Sequence, residues 1–178
     1  GIMFIIGTIF TTVLAVVICS VTGFNPFSEM TELKNQQITR LVAGILMAFC
    51  FALVGFADDY IKVVKKRNLG LTELQKTVLQ ILVIGVYLFT LNLAGVHFTF
   101  IPYIGMFEND IIFWILGFIA IYGTVNAANF TDGIDGLCSS VTFVVALTFF
   151  IISVSYGYYS NSIFACALAG ALGGFLVW

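Results

Sequence analysis

The sequence predicts an all-α polytopic membrane protein, and two observations carry this prediction. The chain of 178 residues is 61% hydrophobic and only 9% charged, whereas soluble domains contain about 25% charged residues. Its charged residues are clustered, and the apolar gaps between the clusters are long enough for helices of roughly 20 residues, the length that crosses a bilayer. This composition excludes a soluble globular domain, a disordered chain and a nucleic-acid-binding protein.

The apolar gaps predict six transmembrane helices. They are apolar on every face, whereas strands of a membrane barrel would alternate over about 10 residues. The last gap is too long for one crossing and is divided by the polar and aromatic stretch 155–162, which is typical of an interface loop. The predicted spans, in chain order, are residues 2–22, 38–57, 77–96, 111–128, 137–154 and 163–178. Between the third and fourth spans, the alternation over 96–102 predicts a short external hairpin.

The chain is expected to be an interior part of a longer protein. Its first and last spans begin and end at the termini without polar flanks, an initiator Met or the layout of a signal peptide. We therefore interpret residues 1–178 as part of a single membrane-embedded domain.

The basic residues predict which loops are cytoplasmic. Segment 58–76 holds five of the seven Lys and Arg residues, and the other two, Lys34 and Arg40, lie on the opposite side of the predicted membrane. The positive-inside rule therefore places 58–76 in the cytoplasm. A second polar segment, 124–136, follows two spans later. Because two is an even number, both segments are expected on the same face.

The first cytoplasmic segment begins with Asp58, Asp59 and Lys62. Lys62 follows the two aspartates at helical spacings of four and three residues, so ordinary surface ion pairing could explain all three residues. The functional alternative is a site for Mg²⁺ and phosphate. Carboxylate oxygens are the ligands that Mg²⁺ prefers, and lysines offset phosphate charge.

The second cytoplasmic segment contains Asn126, Asn129, Asp132, Gly133 and Asp135. A capping box at the start of the fifth span could explain the two aspartates, but it leaves the asparagines and the glycine unexplained. The segment is too short for an EF-hand loop, and the sequence lacks the Walker A and Gly-x-Gly-x-x-Gly patterns. Oxygen ligands beside a flexible glycine again favour a site for Mg²⁺ and phosphate.

Together the two segments resemble a known family. Residues 58–62 (Asp-Asp-Tyr-Ile-Lys) and 126–137 (Asn-Ala-Ala-Asn-Phe-Thr-Asp-Gly-Ile-Asp-Gly-Leu) are similar to motifs of the MraY family. These phospho-N-acetylmuramoyl-pentapeptide transferases belong to the polyprenyl-phosphate N-acetylhexosamine-1-phosphate transferases. The opening segment 1–7 is also similar to the start of the family's third helix. The resemblance implies that the chain supplies the third to eighth of ten helices.

The resemblance also implies a reaction. UDP-MurNAc-pentapeptide and undecaprenyl phosphate would give lipid I and UMP, with Mg²⁺, at the cytoplasmic face of a bacterial cytoplasmic membrane, and the protein would be a homodimer in the bilayer. The implied catalytic residues are Asp58, Asp59 and Asp132, and the implied substrate-binding residues are Lys62, Lys76, Asn126, Asn129, Gly133 and Asp135. The implied metal ligands are Asp59 and Asp132, with a further ligand expected beyond Trp178.

Two other interpretations remain open. A relative of the same family would transfer GlcNAc-1-phosphate to polyprenyl phosphate. An ion-coupled secondary transporter would also be polytopic, but its ionisable residues normally lie near the middle of the membrane rather than at the ends of spans on one face.

Overall fold

A computed structural model describes residues 2–27, 31–65, 70–96, 98–101, 103–133 and 135–177. In these ranges the elements are α1 (Ile2–Val21), α2 (Thr31–Lys65), α3 (Glu73–Leu93), β1 (Phe98–Ile101), β2 (Gly105–Glu108), α4 (Asp110–Thr131), α5 (Leu137–Ser155) and α6 (Tyr159–Leu176). Five helices of the described ranges are long and apolar enough to cross a membrane, and α1 contributes a shorter apolar stretch. The predicted all-α membrane fold is confirmed.

Several helices extend beyond the predicted spans. Helix α2 has 35 residues, which at 1.5 Å per residue makes it about 50 Å long against a hydrocarbon core of about 30 Å. It therefore takes in Asp58, Asp59 and Lys62, which we had expected in a loop. The sequence offers no proline between Thr31 and Lys65 to end the helix earlier. Helix α4 likewise continues to Thr131 and includes both asparagines of the second segment.

The chain divides into two compact units, Val42–Asn126 and the combination of Gly1–Leu41 with Ala127–Trp178. The first of these, the central unit, has an apolar core built from α3, α4 and the segment between them. Its buried residues are Ile84, Leu88, Leu91, Val96 and Phe113.

A glycine permits close packing in this core. A Cβ added at Gly117 would lie 2.8 Å from the Leu88 side chain, so glycine lets Leu88 pack directly on the backbone of α4. Small residues at helix contacts are common in membrane proteins for this reason.

The second unit, the flanking unit, is built on α6, which packs against both α5 and α1. The buried residues of α6 are mostly small, among them Ala165, Ala167 and Ala169. Gly173 lies against the Phe143 ring, which would be 3.3 Å from an added Cβ. Small side chains allow the close helix contacts that replace a hydrophobic driving force in lipid.

The predicted hairpin is present between α3 and α4. Strands β1 and β2 pair antiparallel, with Phe98 opposite Glu108 and Ile101 opposite Gly105. At the turn, Tyr103 has a left-handed backbone with φ of 69°. The side of the membrane on which this hairpin lies stays a prediction.

Candidate active site

The C-terminal end of α2 presents two adjacent aspartates in opposite environments. Only 10% of the Asp58 side chain is exposed, whereas 77% of the Asp59 side chain is exposed. Successive residues on a helix point about 100° apart, so one faces the protein while its neighbour faces solvent. Protein groups therefore surround the Asp58 carboxylate, whereas the Asp59 carboxylate is open to solvent.

Asp58 is surrounded by donors on both of its oxygens. Oδ2 lies 2.7 Å from Lys62 Nζ and 3.5 Å from Lys76 Nζ. Oδ1 accepts a hydrogen bond of 2.8 Å from the Leu71 backbone N–H. Burial of a carboxylate is costly unless it is paired and hydrogen-bonded, and these three donors compensate for that cost. Asp58 is therefore an ionised group held inside a cationic cluster.

Lys62 connects the buried carboxylate with the exposed one. Its Nζ lies 3.2 Å from Asp59 Oδ1 as well as 2.7 Å from Asp58 Oδ2. The proposed surface pairing at spacings of three and four residues is thus present. The buried half of the arrangement, with Lys76 and Leu71, goes beyond a surface ion pair.

The start of α3 fixes the position of Lys76. Thr72 is the N-cap, and its hydroxyl accepts from the Gln75 backbone N–H at 3.3 Å, while Gln75 Oε1 accepts from the Thr72 N–H at 3.1 Å. The Lys76 N–H then donates to the Thr72 carbonyl at 3.0 Å. The Thr-x-x-Gln pattern in the sequence is the signal for this capping box, which we had not predicted.

Gly70 approaches Asp58 very closely. A Cβ added at Gly70 would lie 2.6 Å from the Asp58 carbonyl oxygen and 2.8 Å from its carboxylate carbon. No side chain fits there without moving the backbone. The sequence offered one signal for this residue, its place in the Asn-Leu-Gly stretch before α3, but periodicity could not show what it touches.

Asn126 lies in the same unit and is bound to α3. Its Nδ2 donates to the Gln80 Oε1 at 3.4 Å and to the Tyr122 carbonyl at 2.8 Å. Gln80 is only 4% exposed and follows Lys76 by one helical turn. A predicted site residue is thus connected to the helix that carries Lys76, through a glutamine that we had not singled out.

The remaining predicted residues belong to the flanking unit. Asn129, Asp132, Gly133 and Asp135 are all exposed, at the end of α4 and in the turn after it. Asp132 continues the helical pattern, since its N–H donates to the Ala128 carbonyl at 3.1 Å.

The capping alternative for Asp132 and Asp135 is wrong. The N-cap of α5 is Gly136, whose φ of 79° is left-handed, and no side-chain cap hydrogen bond is formed there. Glycine adopts this backbone conformation freely, so the turn into α5 needs no aspartate.

The predicted metal ligands, Asp59 and Asp132, are exposed aspartates. Within the ranges that the structure describes, no three His, Cys, Asp or Glu side chains are grouped to hold a metal ion. Asp58 is a poor candidate because cations already surround it. Asp59 and Asp132 are exposed oxygen donors, the type that Mg²⁺ accepts while keeping waters or phosphates in its other positions.

Comparisons with known proteins identify the family of the chain. The model of glycosyl transferase family 4 matches residues 41–178. Two relatives, each named phospho-N-acetylmuramoyl-pentapeptide-transferase, come from Bacillus thuringiensis (strain Al Hakam) and Bacillus cereus (strain AH187). Each is 42% identical over 137 residues, which is 75% of this chain and 42% of the relative. The chain thus spans about two fifths of the length of these curated relatives. No solved structure matches it. The family match covers the central unit, with its Asp58 cluster, and most of the flanking unit. The chain therefore belongs to glycosyl transferase family 4.

Proposed function

We propose that the protein containing this chain transfers phospho-MurNAc-pentapeptide from UDP-MurNAc-pentapeptide to undecaprenyl phosphate, giving lipid I and UMP. The name shared by the matched relatives supports this substrate pair. The structural observation that carries the proposal is the convergence of Lys62 and Lys76 on one oxygen of Asp58. Two ammonium groups held close together suit the adjacent negative charges of a diphosphate.

The proposed reaction is a phosphoryl transfer. An oxygen of the lipid phosphate attacks the phosphorus attached to the sugar, a new P–O bond forms, and the bond to the UMP oxygen breaks so that UMP leaves. The second pKa of a phosphate monoester is about 6, so the attacking group is mostly dianionic near pH 7. A strong general base is not required.

The two aspartates then take different roles. Asp58 holds the lysines, because both of its oxygens already accept from protein donors. Asp59, exposed and beside Lys62, is free to face the lipid phosphate or a metal ion. We propose that Lys62 and Lys76 bind the diphosphate and that Asn126, Asn129, Gly133 and Asp135 contribute to binding the uridine diphosphate part.

We propose Mg²⁺ as the cofactor, held by Asp59 and Asp132 with a further ligand beyond Trp178. When bound, the ion would offset negative charge on the diphosphate and polarise its phosphorus–oxygen bonds. Asp59 and Asp132 are both exposed, and carboxylate oxygens are the ligands that Mg²⁺ prefers.

The proposed location is the cytoplasmic face of a bacterial cytoplasmic membrane. The excess of Lys and Arg in segment 58–76 supports it. A homodimer is proposed from the family resemblance.

The test supplies the full-length protein with undecaprenyl phosphate and either UDP-MurNAc-pentapeptide or UDP-GlcNAc. We expect UMP release with the first sugar nucleotide and its loss when EDTA removes divalent ions. If UMP is released with UDP-GlcNAc and not with UDP-MurNAc-pentapeptide, the substrate assignment is wrong and the protein is a GlcNAc-1-phosphate transferase. UMP release that persists in EDTA would refute the proposal that Mg²⁺ is the cofactor.

A further inference from the structure

We infer that Gly70 is a positioning residue for the lysine pair: its missing side chain lets the chain close onto Asp58 and thereby sets where Lys76 lies. The inference rests on the proposed function only for its effect on UMP release. Its structural part concerns the central unit alone.

The contact at Gly70 leaves no room for a side chain. An added Cβ would lie 2.6 Å from the Asp58 carbonyl oxygen and 2.8 Å from its carboxylate carbon. The carbonyl belongs to the backbone of α2, and the carboxylate is held by three donors, so neither is the mobile end of a flexible side chain. Any larger residue must therefore move the chain away from α2.

That displacement would act first on Leu71. Its N–H donates to Asp58 Oδ1 at 2.8 Å, and hydrogen bonds to an ionised acceptor are stronger than neutral ones but depend on distance and angle. A shift of the preceding residue would lengthen this bond or remove it. This bond holds Leu71, directly after the glycine, against Asp58.

The displacement would next reach Lys76. Thr72 follows Leu71 directly and caps α3, and the Lys76 N–H donates to the Thr72 carbonyl at 3.0 Å. Only one residue, Thr72, stands between Leu71 and the first turn of α3. The position of Leu71 therefore determines where the Lys76 ammonium group lies.

The position of Lys76 matters because of its partner. Lys62 Nζ and Lys76 Nζ lie 2.7 and 3.5 Å from the same Asp58 oxygen, so the two nitrogens are no more than about 6 Å apart, a separation at which like charges repel each other. The shared carboxylate holds them together, and a diphosphate presents its charges at a comparable spacing. Gly70 would control this geometry through Asp58, without touching the substrate.

The experiment compares Gly70→Ala with Gly55→Ala in the full-length protein in detergent. Gly55 is the matched control, since it lies in α2 one turn before Asp58 and an added Cβ there meets nothing within 4 Å. Amide hydrogen exchange of Leu71 reports the bond to Asp58 independently of activity. Two further variants, Asp58→Asn and Asp58→Ala, separate the acceptor oxygen from its charge.

We expect Leu71 exchange to be about tenfold faster in Gly70→Ala and in Asp58→Ala, because each variant loses one hydrogen bond to a charged group. Asp58→Asn keeps one acceptor oxygen but loses the charge, so Leu71 exchange should rise less than in Asp58→Ala. Gly55→Ala should leave Leu71 exchange unchanged. With UDP-MurNAc-pentapeptide, kcat/KM should fall about a hundredfold in Gly70→Ala, since misplacement by about 1 Å costs that much, and it should stay unchanged in Gly55→Ala.

Unchanged Leu71 exchange in Gly70→Ala or in Asp58→Ala would overturn the inference. So would faster exchange with undiminished kcat/KM. Should Gly70→Ala fail to fold, equal exchange in Asp58→Ala and the natural protein would still refute the Leu71 contact. If the natural protein releases no UMP, the proposed function is refuted. If Leu71 exchange is nevertheless faster in Gly70→Ala and Asp58→Ala, the structural link between Gly70 and Leu71 still holds.

Discussion

Asp58 of the central unit and the aspartates of the flanking unit lie in opposite environments. In the central unit, Asp58 is 10% exposed, its Oδ2 forms ion pairs with two lysines, and its Oδ1 accepts from a backbone N–H. In the flanking unit, Asp132 and Asp135 lie at the surface of a turn whose helix is capped by a glycine. The contacts of Asp58 are part of the folded structure. The exposed carboxylates of Asp132 and Asp135 should contribute little to its stability. Substitutions in the two units should therefore separate effects on stability from effects on activity.

The largest effect is expected for Asp58→Ala. It leaves Lys62 and Lys76 without their shared carboxylate and leaves the Leu71 N–H unpaired. We expect a loss of about 2 kcal/mol in the free energy of unfolding, because partly buried partners lose their hydrogen bonds. UMP release should fall about a thousandfold with the lysine pair dispersed.

Thermal unfolding in detergent and an UMP assay on the same preparation check both parts of this prediction. Lys34→Ala is the control, since this residue lies near the start of α2, far along the helix from Asp58. A stable Asp58→Ala protein that has lost only activity would show that the cluster contributes nothing to folding.

The next effect is expected for Asp132→Asn in the flanking unit. The carboxylate is exposed, so the melting temperature should change by less than a degree or two, in line with surface substitutions of about 0.5 kcal/mol or less. UMP release should fall about a hundredfold if this carboxylate serves the reaction. The Mg²⁺ concentration for half-maximal activity should rise, and an unchanged value would remove Asp132 from the proposed metal ligands.

A smaller effect is expected for Thr72→Ala, which removes the N-cap of α3. Loss of an N-cap costs about 1 kcal/mol, and the Gln75 side chain alone still accepts from the residue-72 N–H. Because the cap lies between Leu71 and Lys76, UMP release should fall several-fold. Thr72→Ser restores the hydroxyl and should restore both stability and activity; failure of this rescue would show that the methyl group, not the cap, is what matters.

Composition and spacing were sufficient to predict the helical membrane fold, because sixteen charges confined to a few segments leave only apolar spans between them. They also singled out Asp58, Asp59 and Lys62, since helical spacing places Lys62 beside both aspartates. They could not tell which aspartate is buried. That depends on Leu71, thirteen residues later, in a connection whose path no periodicity describes.

For the same reason, the contacts of Gly70 and Gln80 could not be predicted from the sequence. A glycine in a loop predicts flexibility or a turn, whereas Gly70 is required for close approach to α2. A glutamine in an apolar helix predicts a polar contact without naming the partner, which the structure identifies as Asn126. Both contacts join residues that are far apart in sequence. Periodicity and spacing describe local structure, so they do not show which distant residues meet.

The smallest effect is expected for Cys138→Ala at the start of α5. Its thiol lies 3.7 Å from the Ala128 carbonyl, and a thiol is a weak donor. Alanine should therefore change the free energy of unfolding by less than about 0.5 kcal/mol, with UMP release unchanged. A loss of 2 kcal/mol or more, measured by thermal unfolding, would show that the turn of the flanking unit is fastened as firmly as Asp58 is. The contrast between a built-in acid and surface acids would then fail.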